Sequence, residues 1–255
     1  ADIDPAHQKI ALEKGYVDKT ESISEGISDC DLIIIAAPVI SILDLLPQVL
    51  DKCNEQVVTD VGSTKAKMAL RIEKHPKRSN YVAAHPIAGT EYSGPEASEE
   101  DLFNKKITIL CDKERSSSKA LNVVKQMYTA LNMRLIYMNS YEHDIHSAYV
   151  SHISHISSFS LALSVLEKEK EEKNILAMAG AGFESTVRLA KSNADMWAPI
   201  FIQNRDNVLE VLDDYIEKLK SFREAIFSGE TSEITNLILQ ANNIIKILEP
   251  QTIRK

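Results

Sequence analysis

The chain has 255 residues, 44% of them apolar, with a formal charge of −8 at neutral pH. That is apolar material enough for one large or two ordinary domain cores. An acidic balance with no lysine and arginine cluster argues against nucleic acid or anionic membrane as the main partner, which leaves a small substrate.

In chain order, Ala1-Asp2-Ile3-Asp4-Pro5 carries no initiator Met and runs straight into a helical pattern over 5–14, so the chain reads as a fragment cut just before the end of a strand. Strands are expected at 32–37, 57–60, 81–84, 106–111 and 134–138, alternating with helices at about 39–52, 64–74 and 116–131. Continuous apolar runs such as LIIIAA, separated by helical patterns, predict an α/β fold with a parallel sheet covered on both sides. Leu32 to Ile40, the longest such run, is too short to cross a bilayer, and no basic region plus apolar signal segment opens the sequence. Cys30, Cys53 and Cys111 have neither metal-type nor CxxC spacing, which suits the reducing cytoplasm.

After Asn139 no strand signal returns. Helices are expected over 140–170, 174–191, 194–228 and 231–248, with breaks at Gly180, Gly182, Ser192-Asn193 and Ser228-Gly229. The first is apolar on more than one side, through Ile145, Ala148, Ile153, Ile156, Phe159 and Leu163. It therefore needs covering by other helices, including those of a second subunit.

In an open parallel sheet, ligands sit outside the carboxyl ends of the strands, so Ser63 and His85 project into one crevice. Ser63 stands where a hydroxyl caps a helix or touches substrate, and Gly62 permits a tight turn. His85 precedes Pro86, which holds the backbone extended at a strand end, and that favours function over a helix-packing role. Glu91 follows in a loop, where a carboxylate is commonly only exposed. His143, His146, His152 and His155 fall at spacings of three on the long helix. With no cysteine and no HExxH pattern beside them, a metal site is disfavoured; one pair faces the crevice and the others satisfy helix contacts. Arg188 carries the planar donor fork that suits a substrate carboxylate, or makes a surface ion pair.

DVGSTK (60–65), AAHPIAGTEYSG (83–94), HDIHSAYVSHISHI (143–156) and GFESTVRLAKSNADMW (182–197), in that order, closely resemble the prephenate dehydrogenase family of tyrosine biosynthesis. The resemblance spans nearly the whole chain. It implies a Rossmann-like nicotinamide-binding domain over 1–139, incomplete at its N-terminus, joined to an all-α substrate-binding and homodimerisation domain over 140–255. The implied activity is oxidative decarboxylation of prephenate to 4-hydroxyphenylpyruvate with hydride transfer to NAD. The family's opening strand, GxGxxG turn and helix are not in this sequence, so the chain as given is expected to bind cofactor poorly.

By resemblance, Asp2 accepts the adenosine ribose hydroxyls and favours NAD over NADP, with Pro38 and Gly62 as further cofactor contacts. His85 is the implied base, assisted by Ser63. Arg188 holds a substrate carboxylate, His155 faces the pyruvyl side chain or the product, and Thr90, Glu91, Ser192 and Trp197 line or close the pocket. Some relatives have an aspartate three residues before the arginine; here the position is Ser185. No metal is implied, and tyrosine is a plausible feedback inhibitor. Arogenate dehydrogenase remains an alternative, as does a non-catalytic module that binds an aromatic ligand and dimerises.

Overall fold

The computed structural model describes residues 1–89 and 94–248. It opens with α1 (Pro5–Glu13), where Pro5 fills the first turn and the Asp4 carboxylate caps by accepting the Ala6 N–H. Next comes α2 (Ile23–Ser28), closed by a Ser22/Glu25 capping box and too short to register as a periodic pattern. The α/β portion continues as β1 (Leu32–Ile35), α3 (Val39–Lys52), β2 (Val57–Asp60), α4 (Ala66–Arg71), β3 (Tyr81–Ile87), β4 (Ile107–Cys111), α5 (Ser118–Ala130) and β5 (Arg134–Met138).

The five strands form one sheet in the order β1-β2-β3-β4-β5. β1, β2 and β3 are parallel, as are β4 and β5, but β4 runs antiparallel to β3, with His85 opposite Ile109. The expected parallel sheet is therefore met at three of the four strand pairings, and β4 departs from it by running antiparallel to β3. Among the described residues the connection from Ile87 to Ile107 holds only the 3-10 turn Pro95–Ala97. A parallel return requires a crossover, usually a helix; without one the chain comes back alongside β3.

Each face of the sheet has its own core. On one face Val58, Tyr81, Ala83 and Cys111 pack with Ile42, Leu46 and Leu50 of α3 and Met68 of α4. On the other, Val57, Val82, Ala84 and Leu110 meet Ala120, Val124 and Tyr128 of α5. β1 departs from the expected burial on both faces. It is an edge strand, α5 lies over β2, β3 and β5, and Ile34 is left 48% exposed.

Beyond β5 the described chain is helical. α6 (Ser140–Ser147) starts on an Asn139/Glu142 capping box, passes through a π-helical turn at Ala148–His152 and continues as α7 (Ile153–Glu171). The expected helix over 174–191 is instead a 3-10 turn at Leu176–Met178, α8 (Ala181–Val187) and a second 3-10 turn at Arg188–Lys191. Gly180 and its extended backbone separate these pieces. The expected helix over 194–228 is broken at Asn204 into α9 (Ala194–Gln203) and α10 (Arg205–Ser228), followed by α11 (Thr231–Ala241) and α12 (Ile245–Leu248).

Residues 1–208 form one compact unit and 209–255 another. The first holds the sheet and the helices through α9. The second exposes Ile216, Ile226, Phe227, Ile238 and Leu239, an unusual load of apolar surface. No helix of the described residues is long and apolar enough to cross a membrane.

Candidate active site

β3 runs beyond the end of β2, so its last residues stand above the carboxyl edge of the parallel strands. Asp60 pairs with Ala83, and His85 lies two residues further along on the same face. α6 packs against this face and brings His143 Nε2 to 2.8 Å from His85 Nδ1. His143 is fully buried, and its Nδ1 lies 2.8 Å from Asp144 Oδ1. Burial pushes the His85 pKa well below its ordinary value, and His143, Lys65 and His152 add to the shift. The imidazole is therefore neutral at physiological pH, the form in which a histidine accepts a proton.

The turn after β2 is built on buried charge. Lys65 Nζ, with no solvent exposure, is paired with the Asp60 carboxylate. Asp60 also accepts the Tyr81 hydroxyl at 2.5 Å and the Gly62 N–H at 2.9 Å. A Cβ on Gly62 would come within 2.9 Å of Asp60 Oδ2 and 3.0 Å of both Ile42 and Met68, so a side chain there would force the Asp60 carboxylate, held by Lys65, to shift. The cap anticipated from Ser63 is made otherwise. Asp144 accepts the Lys65 and Ala66 N–H groups at 2.8 and 2.9 Å, while Ser63 sits half-buried at the turn.

A wall of aromatic rings borders the site. His155 stacks on Trp197 with ring centres 3.5 Å apart, and His152 meets the same indole edge-on at 5.9 Å. The buried Trp197 Nε1–H has no hydrogen-bond partner among the described residues. His155 Nδ1 lies 3.0 Å from the Ser151 carbonyl, which assigns Nδ1 as its N–H and leaves Nε2 as an acceptor in the neutral ring. Burial lowers the His155 pKa, and the Arg188 charge lowers it further. Arg188 thus belongs to this region, exposed at the start of the 3-10 turn that Ser192 closes.

Of the four helix histidines, His143, His152 and His155 are buried and His146 is exposed, so the pairing by spacing separates His143 from His146. No group of three or more potential metal ligands gathers among the described residues. Asp2 and Pro38 line an open cleft of about 700 Å³, together with Lys19, Thr20 and Ala36. Asp4, the other acidic residue of the N-terminal stretch, is occupied as the α1 cap. Thr90 and Glu91 lie outside the described residues. Sequence reasoning missed Asp144, Asn204, Asp60 and Lys65.

Asn204 ties the helices together, its Nδ2 donating to the Asp144 carbonyl at 2.7 Å and lying 3.2 Å from His152 Nδ1. Burial lowers the His152 pKa to about 4. Below about pH 6.5 the unfolded chain takes up a proton at this position that the folded protein refuses. Stability is therefore fully present above that pH and declines towards pH 4, by about 3 kcal/mol in all for this one group. Urea midpoints at neutral and acid pH should differ less in His152→Asn, whose Oδ1 can still accept from Asn204. An unchanged difference would show that His152 is not responsible.

A mainly parallel sheet with a cleft and a half-buried histidine at its strand ends, followed by helices, defines a Rossmann-like nucleotide-binding protein with a helical extension. Residues 1–137 match the family model described as prephenate dehydrogenase, nucleotide-binding domain, and residues 139–240 match that described as prephenate dehydrogenase, dimerization domain. The chain belongs to the prephenate dehydrogenase family. It is 30% identical over 226 residues to a prephenate dehydrogenase of Bacillus subtilis, covering 87% of this chain and 61% of that one. A cyclohexadienyl dehydrogenase of Zymomonas mobilis is 28% identical over 213 residues, covering 83% of this chain and 73% of its own length. Among solved structures, prephenate dehydrogenase from Aquifex aeolicus in complex with hydroxyphenyl propionate and NAD+ superposes with a TM-score of 0.88 at 27% identity, over 97% of this chain and 87% of the other. The present chain thus spans about three fifths of the Bacillus protein.

Proposed function

We propose that this protein catalyses the NAD-dependent oxidative decarboxylation of prephenate to 4-hydroxyphenylpyruvate, with arogenate as the competing substrate. The observation that carries the reading is His85, a neutral imidazole at the carboxyl end of β3, beside a ring-stacked wall and within the family's HPIAGTE motif. The structural relative from Aquifex, complexed with hydroxyphenyl propionate and NAD+, supports an aromatic acid as the ligand class.

The cleft fits the adenosine end of the cofactor. Its volume of about 700 Å³ accommodates a nucleoside, and the Asp2 carboxylate on its wall suits a ribose diol and opposes a 2′-phosphate. Asp2 and Pro38 would hold NAD there, and Gly62, outside the cleft's lining, is a further cofactor contact by resemblance. Bound NAD supplies the hydride acceptor, and the remaining work falls to the side chains.

His85 takes the proton of the ring hydroxyl as the carbonyl develops, and Ser63 hydrogen-bonds the same hydroxyl or orients the imidazole. Loss of the ring carboxylate as CO2 and aromatisation drive the step forward. Arg188 binds a substrate carboxylate, and His155, stacked on Trp197, faces the side chain or the product. Ser192, Thr90 and Glu91 line or close the pocket. Ser185, exposed on α8, leaves no carboxylate three residues before the arginine.

We place the cofactor domain in residues 1–139 and the substrate and dimerisation domain in 140–255, with a cytoplasmic homodimer as the working form and tyrosine as a product-like inhibitor. The matched dimerization-domain description and the exposed apolar residues of α10 and α11 support association, which light scattering tests. Charge-assisted hydrogen bonds to a carboxylate are worth about 1.5–3 kcal/mol, so Arg188→Gln should raise the KM for prephenate about 10–100-fold with kcat little changed. An unchanged KM would remove Arg188 from the substrate site. The function itself is tested by absorbance of NADH formed from prephenate by the complete gene product, with arogenate and NADP in parallel. No turnover by folded protein with either substrate or either cofactor would overturn it.

A further inference from the structure

His85 is one end of a chain of three side chains, and the far end decides where its proton sits. Asp144 is the anchor, its Oδ1 accepting the Lys65 N–H at 2.8 Å and its Oδ2 the Ala66 N–H at 2.9 Å. An ionised carboxylate offers only acceptors. Across the 2.8 Å to Asp144 Oδ1, His143 must therefore present Nδ1–H. A neutral imidazole carries a single N–H, so the Nε2 of His143 is then a lone pair. Its neighbour at 2.8 Å, His85 Nδ1, must in turn be the donor. The opposite direction would set a lone pair of His143 against the carboxylate at hydrogen-bond distance, or require both nitrogens of His143 to carry protons, in which case His85 would be protonated at Nε2.

We propose that His143 and Asp144 are positioning residues that lock His85 as its Nδ1–H tautomer and so leave Nε2 as the basic atom of the site. The inference rests on His85 being the base. The logic is that of a Ser–His–Asp triad, in which a buried carboxylate fixes a histidine's tautomer through Nδ1. Here a second imidazole stands between carboxylate and base. When the substrate hydroxyl gives its proton to Nε2, the resulting imidazolium keeps its Nδ1–H on His143, whose own Nδ1–H remains on Asp144. No proton leaves the chain during the step, and the imidazole keeps its orientation. The arrangement also makes the turn after β2 part of the device, because the two N–H groups that hold Asp144 belong to Lys65 and Ala66.

The tautomer is read directly from long-range nitrogen–proton spectra of protein labelled with [15N]histidine, its seven histidines assigned by single His→Gln variants. At neutral pH, His85 is expected with Nδ1 protonated and Nε2 bare. In His143→Leu the His85 ring should populate both tautomers. The complete gene product carrying that change should lose about 10–100-fold in kcat, with KM for prephenate and NAD held within about threefold. His143→Gln, whose Oε1 reaches the position of Nε2 and accepts from His85 Nδ1, should recover most of that loss. A His85 protonated at Nε2 in the unmodified protein overturns the proposal, and an unaltered kcat in folded His143→Leu overturns it while leaving the base reading intact. Unchanged turnover in His85→Asn would instead remove the base reading, and the proposal with it, whichever tautomer the spectra report.

Discussion

Replacing His85 with asparagine should lower prephenate turnover about 10²–10⁴-fold, the usual worth of a general base, with much smaller changes in KM. Asparagine suits the experiment because its amide reaches about as far as Nδ1, so it can still hydrogen-bond His143 while lacking any atom at the Nε2 position. The fold and the buried contact survive, and the proton acceptor goes. The low pKa of His85 adds a second signature. Because burial and the neighbouring His143, Lys65 and His152 favour the neutral ring, the acid limb of kcat/KM should fall below the ordinary histidine value of about 6.5. Steady-state NADH formation across pH, with circular dichroism to verify folding, measures both. Turnover within about tenfold of the unmodified enzyme would mean that another group accepts the proton.

Lys65→Met should strongly destabilise the sheet domain. The Lys65 ammonium and the Asp60 carboxylate are both without solvent exposure, and removing one partner leaves the other charge buried and uncompensated. The expected cost is about 3–5 kcal/mol, which for a protein of this size lowers Tm by about 6–20 °C. Tyr81 and Gly62 continue to donate to Asp60, so the carboxylate is not stripped of every partner. Adding Asp60→Asn removes the stranded charge and should restore part of the loss. Thermal melts of the two single variants and the double variant measure the coupling. Additive losses would show that the pair does not act as a unit.

These two residues also mark how far the sequence could be read. His85 was legible because a continuous apolar run ends abruptly on His-Pro, and that pattern gives strand, strand end and an imidazole at the crevice together. Lys65 was not, since a lysine just past a strand reads as solvated; nothing local announces that Asp60 lies beneath it. Asp144 was invisible for a related reason. It caps α4 from 78 and 79 residues away, and cap patterns read only neighbours. The four helix histidines were plain as a group, but only the packing of α6 on the sheet separates buried His143 from exposed His146. Strand direction failed at β4 because local composition signals that a strand exists and not which way it runs. The break at Asn204 was missed because the residue is held by tertiary hydrogen bonds to α6 and the π turn, with no glycine or proline at that position to signal it.

The π turn at Ala148–His152 gives the long helix a phase that its composition does not reveal. Such a turn houses one residue more than a regular helical turn, and losing that residue would rotate everything beyond it by about 100°. His143 lies on one side of the turn, while His155 and its Trp197 stack depend on the other. Val150, within the turn, is 76% exposed and could exchange its side chain with little consequence. Its presence in the count of residues is another matter, since shortening the turn by one would swing either the base's partner or the aromatic wall away from the crevice. At this point in the chain, length is held more tightly than identity.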